Sequence, residues 1–291
     1  MSWSLLAAAA LSARPLLPSE LEHLHTHRYA VIPHWVNAEQ TDRLQKDAVA
    51  VDAHHGRTCT IGTADSETVR LNPAIRRSRQ SSLYPPPPNS AGCVQTRAEL
   101  VQAVGMLRSE LQASTLLGLP MLEPFETELH YLFYPRGGQY KRHLDMPYIE
   151  HGWQRKGRRA ADGGSFHGVH TRRVVSFILY LNRGWDDVDG GALRIFPANE
   201  HDYGLSQEAL SAHAQDVLPE GGTLVVLMSA DVEHLVRTTH AERQCVVGWF
   251  RERRTQHVPD LSRVSLRTLR ALDRSTTLSS IAGLSDQLCL E

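Results

Sequence analysis

The sequence predicts a mainly β fold with flanking helices, and three observations carry that reading. After Pro120 the apolar residues fall into five short runs, ELHYLFYP, RVVSFILYLN, GGALRIFP, GTLVVLMS and ERQCVVGWF, divided by Gly, Asp and Pro. Their spacing leaves no room for long intervening helices, which points to a sandwich or barrel and away from a parallel α/β sheet. Before Pro120, two stretches carry apolar residues at helical spacing instead. The expected organisation is an N-terminal helical region with an irregular arm over 1–120, a β core over 121–258, and a C-terminal helix and tail over 259–291.

Taken in order, Pro18, Ser19 and Glu20 form a start signal for a short helix from about Leu21. HRYAVIPHWV reads as a short strand and turn. A helix from about Asn37 to Ala53 follows, with Leu44, Ala48 and Val51 on one face. Periodicity then disappears from His55 to Val94, and Pro85 to Pro88 exclude regular helix or central strand there, leaving a surface segment or extended arm. Leu100, Val104, Leu107 and Leu111 restore helical spacing over Thr96–Leu117, a stripe expected to pack on the sheet. Beyond the β core, Leu261, Val264, Leu269 and Leu272 predict a helix over Asp260–Arg274, with a weakly patterned tail after it.

Composition narrows the function. The 291 residues suffice for one large domain with attached helices or for two small ones. Lys and Arg number 31 against 32 acidic residues, so overall charge gives no support for nucleic-acid binding. Cys59, Cys93, Cys245 and Cys289 lack the close spacing of a zinc ribbon or redox motif and are expected to be free thiols. The apolar stretch Leu5–Leu11 has no basic leader and is too short to span a bilayer. The expectation is a cytoplasmic protein with no membrane partner, its oligomeric state left open.

Chemistry concentrates in YLFYPRGGQYKRHLDMP. His143 and Asp145 stand two positions apart, and residues so spaced in an extended segment share a face. His234, after a later strand, offers a second imidazole. Two histidines and one carboxylate suit ferrous iron with open positions, and zinc accepts the same donors. Arg243 lies nine residues after His234, in the alternation Arg243, Cys245, Val247, Trp249. If Val247 marks the core, the guanidinium points inward, where it requires an anion. A dicarboxylate with its other end on the metal meets that need, with Tyr180 adding a hydroxyl. A structural salt bridge for Arg243 and a core role for Tyr180 are the plainer alternatives.

The runs YPRGGQYKRHLD, SFILYLNRGWDDVDGGALRIFP and HLVRTTHAERQCVVGWF together resemble iron- and 2-oxoglutarate-dependent dioxygenases of the prolyl 4-hydroxylase superfamily, above all the hypoxia-sensing type and its bacterial relatives. The resemblance covers roughly 131–250 and implies a double-stranded β-helix, a jelly-roll (cupin-like) core. It implies that His143, Asp145 and His234 bind Fe(II) and that Arg243 binds the far carboxylate of 2-oxoglutarate, assisted by Tyr180. Tyr134 would line the inner pocket, Leu193 would wall it, and Arg173 and Trp249 would stand at the substrate mouth, although Trp249 is equally suited to the core. The implied activity is hydroxylation of a prolyl residue in a protein, using O₂ and releasing succinate and CO₂, with ascorbate as protective reductant. A free amino acid or other small metabolite is the alternative substrate. A non-catalytic cupin-like domain and a zinc hydrolase are more remote readings.

Two features depart from the hypoxia-sensing pattern. A glycine-rich insertion carrying Arg155, Lys156, Arg158 and Arg159 occupies 151–173, read either as a solvated loop or as a rim that selects or covers substrate. The stretch Gln244–Gly248 also has no hydroxyl residue to support the cosubstrate carboxylate.

Overall fold

The second helix shows how local chemistry fixes the frame. The side chain of Asn37 accepts the Gln40 N–H at 2.9 Å, and Gln40 Oε1 returns the bond to the Asn37 N–H at 3.0 Å. This reciprocal cap starts α2 (Ala38–His55) and satisfies two N–H groups that the helix leaves open. The computed structural model describes residues 13–61, 71–83, 91–124, 127–146, 171–196 and 214–253, and the backbone of 154–159 and 166–170. The predicted helix at Asp260–Arg274, the tail after it, Cys289 and the prolines at 85–88 lie outside these residues.

Helix α1 (Pro18–His27) begins three residues before Leu21, because Pro18 occupies the first turn, where no N–H is needed. Helix α3 (Val94–Ala113) ends before Leu117, ahead of a turn over 115–118. The strands are β1 (Tyr29–Ile32), β2 (Arg57–Thr58), β3 (Arg76–Arg77), β4 (Arg79–Ser82), β5 (Glu128–Tyr134), β6 (Gln139–His143), β7 (Gln154–Arg159), β8 (Phe166–Tyr180), β9 (Leu193–Phe196), β10 (Gln215–Val217), β11 (Leu224–Met228), β12 (Glu233–Val236) and β13 (Arg243–Arg253). They form an eight-stranded sheet ordered β1-β11-β8-β13-β5-β4-β2, with β7 added against β8, and a five-stranded sheet ordered β10-β9-β12-β6-β3. All the strand pairings are antiparallel. This is the expected double-stranded β-helix, a jelly roll flanked by helices.

Strand alternation divides the core in two. On β11, Leu224 and Val226 join Leu44, Leu100, Leu107 and Leu111 of the helices, while Val225 and Leu227 face the second sheet. On β5, Leu129 and Tyr131 face the helices, and Leu132 and Tyr134 face inward with Ile195 and Val236. Asp47 ties the helical layer to the sheet. Its buried carboxylate accepts Arg97 Nη1 at 2.7 Å, Tyr131 Oη at 2.7 Å and the Cys93 N–H.

Three findings differ from the reading of the sequence. The unpatterned stretch from His55 to Val94 supplies β2, β3 and β4, whose two to four residues are too short to show a period. Two strands of the smaller sheet, β10 and β12, carry too few apolar residues to stand out. The insertion at 151–173 is in part a β-ribbon, with β7 pairing β8 from Gln154↔Thr171 to Arg159↔Phe166. Among the described residues, no helix is long and apolar enough to cross a membrane.

Gly248 lets β13 pass close to its neighbours. A Cβ built there would overlap the ring edge of Phe177 and lie 2.7 Å from the Glu128 carbonyl oxygen. The Gly248→Ala variant is expected to lose about 1–3 kcal/mol of stability through overpacking, read as a lower midpoint in urea at unchanged slope.

Candidate metal and cosubstrate site

His143 and His234 face each other as register partners on β6 and β12. Their ring centroids are 4.4 Å apart. β6 ends at His143, so Asp145 lies in the bend that follows. Two contacts fix that bend: the Met146 N–H donates to the Ser229 carbonyl at 3.0 Å, and Arg173 Nη1 donates to the Asp145 carbonyl at 3.2 Å. One donor atom from each of His143, Asp145 and His234 lies within 4.8 Å of the others, the cluster that the sequence pattern predicted. Asp145 Oδ1 is 3.5 Å from His143 Nε2, and Asp145 Oδ2 is 3.8 Å from His234 Nε2.

The backbone sets the tautomers. His143 Nδ1 lies 2.8 Å from the Lys141 carbonyl oxygen and His234 Nδ1 lies 3.2 Å from that of Val232. A carbonyl only accepts, so each Nδ1 carries the proton and each Nε2 presents a lone pair to the cluster. Burial pushes the pKa of His234 down to about 4, with His143 adding to the effect, so its imidazole is neutral at physiological pH. Burial alone would raise the Asp145 carboxyl. His234, His143 and Arg173 outweigh it and hold Asp145 well below the usual carboxylate range. Two imidazoles and a carboxylate gathered on one side form the donor set of a facial iron site.

Arg243 follows the predicted alternation into the space between the sheets and is 1% exposed. Its Cζ lies 4.9 Å from the centre of the Tyr134 ring and 5.0 Å from that of Tyr180, and its Nη1 points at Cys245 Sγ at 3.6 Å. Burial pushes the Tyr134 and Tyr180 phenols and the Cys245 thiol up, so all three neighbours are neutral. Arg243 Nε and Nη2, and the Tyr180 hydroxyl, have no hydrogen-bond partner among the described residues. A buried guanidinium in this state costs several kcal/mol unless an anion arrives (roughly, by the balance for buried ions). The orphaned donors fit the distal carboxylate of 2-oxoglutarate. Leu193, fully buried, belongs to the same apolar cluster as Tyr134, Tyr180 and Cys245. Gly191, at φ +68°, starts that edge of the site, where a Cβ would lie 3.2 Å from Arg243 Cδ.

Arg173 and Trp249 come together at the other side of the cluster. Arg173 Cζ stacks 3.8 Å from the centre of the indole, and its Nη2 donates to Glu128 Oε2 at 2.8 Å. Trp249 is 8% exposed, and its Nε1 has no partner among the described residues. Simple alternation along β8 would put Arg173 on the helix side with Val175 and Phe177. The pairing Phe250↔Val175 followed by Arg251↔Arg173 reveals a bulge at Val174 that turns Arg173 to the inner face. Arg251, itself fully buried, pairs with Glu128 and donates to Thr171 Oγ1 at 2.9 Å.

Two residues of the site were not singled out from the sequence. Tyr140 stacks on His143 at 3.7 Å between centroids, and the Arg76 guanidinium lies 4.7 Å from the centre of the Tyr140 ring. A register irregularity in β6 brings Tyr140 and His143 to one side, which alternation does not show. Arg76 comes from the unpatterned stretch and had no signal.

Comparison with known proteins agrees with this geometry. A family model described as the 2OG-Fe(II) oxygenase superfamily matches residues 129–251. A Pseudomonas putida prolyl-4-hydroxylase is 28% identical, with a TM-score of 0.56 over 81% of this chain and 98% of that one. A Trichoplax adhaerens prolyl hydroxylase, solved with a peptide fragment of the hypoxia inducible factor oxygen degradation domain, shares the fold at 19% identity and a TM-score of 0.57, over 79% of this chain and 86% of that one. A prolyl 4-hydroxylase from Phytophthora capsici shares it at 20% and 0.50, over 87% and 68% respectively.

Proposed function

We propose that this chain is a 2OG-Fe(II) oxygenase, as the family model matching residues 129–251 supports, and that it hydroxylates a prolyl residue within a protein. His143, Asp145 and His234 would hold Fe(II), and Arg243 with Tyr180 would hold the far carboxylate of 2-oxoglutarate. Iron, 2-oxoglutarate and O₂ together supply the chemistry: R–H, 2-oxoglutarate and O₂ become R–OH, succinate and CO₂. The protein's own residues prepare that event. The Lys141 and Val232 carbonyls orient the two imidazoles. Arg173 and Ser229 hold the Asp145 bend, and Tyr134 and Leu193 keep the inner pocket apolar and closed to water. The buried, unmatched Arg243 and Tyr180 beside a three-donor cluster are the observation that carries the oxygenase reading.

The choice of a prolyl residue in a protein draws support from the mouth. A free amino acid brings its own carboxylate, which calls for an unmatched cation. Arg173 is held through Nη2 by Glu128, a carboxylate it shares with Arg251, and through Nη1 by the Asp145 carbonyl. A main-chain substrate makes no such demand, and the partnerless Trp249 indole N–H suits a peptide carbonyl. The 28% identity to a prolyl-4-hydroxylase along nearly its whole length supports the same choice.

The test is incubation of the iron-loaded protein with cell lysate and 2-oxoglutarate, followed by mass spectrometry. A gain of one oxygen on a proline in a defined protein is expected. Succinate release driven stoichiometrically by a free amino acid, with no protein modified, would contradict the reading.

A further inference from the structure

The ribbon formed by β7 and the first half of β8 has a charge pattern that the site does not use. Its described residues, 154–159 and 166–173, contain Arg155, Lys156, Arg158, Arg159, Arg172 and Arg173 and no Asp or Glu, in a chain whose formal net charge is −1. The two arginines nearest the barrel pair with acids, Arg172 with Glu252 and Arg173 with Glu128, which Arg251 shares. Both acids come from neighbouring strands, and the pairing of β13 with β8 ends at Thr171. Farther out, β7 lies opposite Thr171, His170, Val169, Gly168, His167 and Phe166, so the register places no acid across from any of its four cations. β7 pairs with β8 and with no other described strand.

Register also gives these cations a direction. The bulge at Val174 turns Arg173, and with it Thr171, to the inner face. Alternation then puts Lys156, opposite Val169, and Arg158, opposite His167, on the same face as Arg173, and Arg155 and Arg159 on the reverse. Positions 169 and 167 are four and six residues from Arg173, about 13 and 20 Å along the strand at about 3.3 Å per residue. Arg173 in turn touches the carbonyl of the metal-ligand candidate Asp145. Basic positions thus run outward from the mouth along one face.

We propose that this face of the ribbon docks an acidic segment of the protein substrate, with its carboxylates about four to six residues from the oxidised proline. The proposal rests on the protein-substrate reading above. An extended substrate advances at the same spacing per residue as the strand, so acids at that separation meet positions 156 and 158 when the proline is at the mouth. Local charge of this kind selects partners and speeds encounter, and it weakens as salt shortens the Debye length.

The test uses the full chain, loaded anaerobically with Fe(II) and 2-oxoglutarate, and fluorescein-labelled peptides read by anisotropy. Each peptide has one proline, with glutamates about four to six residues away on its N- or C-terminal side, and is compared with its glutamine isomer. The proposal expects one glutamate peptide to bind at least about 10-fold tighter than its isomer at low salt, with the advantage shrinking as salt rises. Lys156→Glu with Arg158→Glu should remove that advantage, whereas Arg155→Glu with Arg159→Glu on the reverse face should leave most of it. Equal binding of both isomers overturns the proposal, as does equal loss in the two double variants. Preferential capture of a single-stranded oligonucleotide of matched charge overturns it in favour of nucleic acid. Should the variants fail to fold, the isomer comparison and its salt dependence in the unaltered protein decide. Proline-to-alanine peptides separate the two claims: retained glutamate preference without dependence on proline contradicts the prolyl reading and leaves the docking face standing.

Discussion

Asp145→Glu is expected to lose 2-oxoglutarate decarboxylation by at least about 10²-fold while keeping the charge at the site, because an error of about 1 Å in a positioned group already costs that much. The extra methylene pushes the carboxylate towards His143 and His234, whose Nε2 atoms are 3.5 and 3.8 Å from it. Neither imidazole is free to retreat, since the Lys141 and Val232 carbonyls hold their Nδ1 atoms. The bend itself is pinned through Ser229 and Arg173. His143→Ala, Asp145→Ala and His234→Ala should each abolish turnover and lower Fe(II) affinity by more than the roughly 10–100-fold typical of outer-sphere changes. Metal content and succinate formation are the readouts. Full activity in any one alanine variant would mean that the residue is not a ligand.

Arg243→Met gives the second large effect, and it separates a cosubstrate clamp from a structural ion pair. Losing the guanidinium should weaken 2-oxoglutarate binding by about 2–5 kcal/mol, roughly 30-fold to several-thousand-fold in Kd, with Fe(II) binding retained. The free protein should behave oppositely. Arg243 is buried among neutral groups with two of its nitrogens unmatched, so an apolar side chain of similar length should leave stability unchanged or raise it. A structural salt bridge would instead make the variant less stable by about 3–5 kcal/mol. Thermal unfolding with and without 2-oxoglutarate distinguishes the two. The stabilisation that 2-oxoglutarate gives the unaltered protein should vanish in the variant.

Legibility of the site in the sequence follows how regular the backbone is around each residue. β13 is regular from Arg243 to Phe250, so alternation put Arg243, Cys245, Val247 and Trp249 on one face, and they share it. The HxD spacing identified two members of the metal cluster even though Asp145 lies just past the strand end. Where a strand departs from regular pairing, the reading stops. The irregularity in β6 brings Tyr140 onto His143, and the bulge at Val174 turns Arg173 inward. The site role expected for Arg173 came from family resemblance, since simple alternation places it on the wrong face. The ribbon was harder still. With Gly157 opposite Gly168 and few apolar residues, its sequence carries no apolar period of two, so glycine and charge gave it the look of a loop. Glu128, which gathers Arg173 and Arg251, opens an ordinary strand and offered no local signal.

The central claim, a ferrous 2-oxoglutarate oxygenase, is tested most directly without knowledge of the substrate. The protein is purified anaerobically, its metal is quantified, and 2-oxoglutarate and O₂ are supplied while succinate is measured. The account predicts stoichiometric Fe(II) binding and slow succinate formation that requires both iron and Arg243. Stoichiometric zinc in the protein, with no conversion of 2-oxoglutarate after iron is supplied, would contradict it.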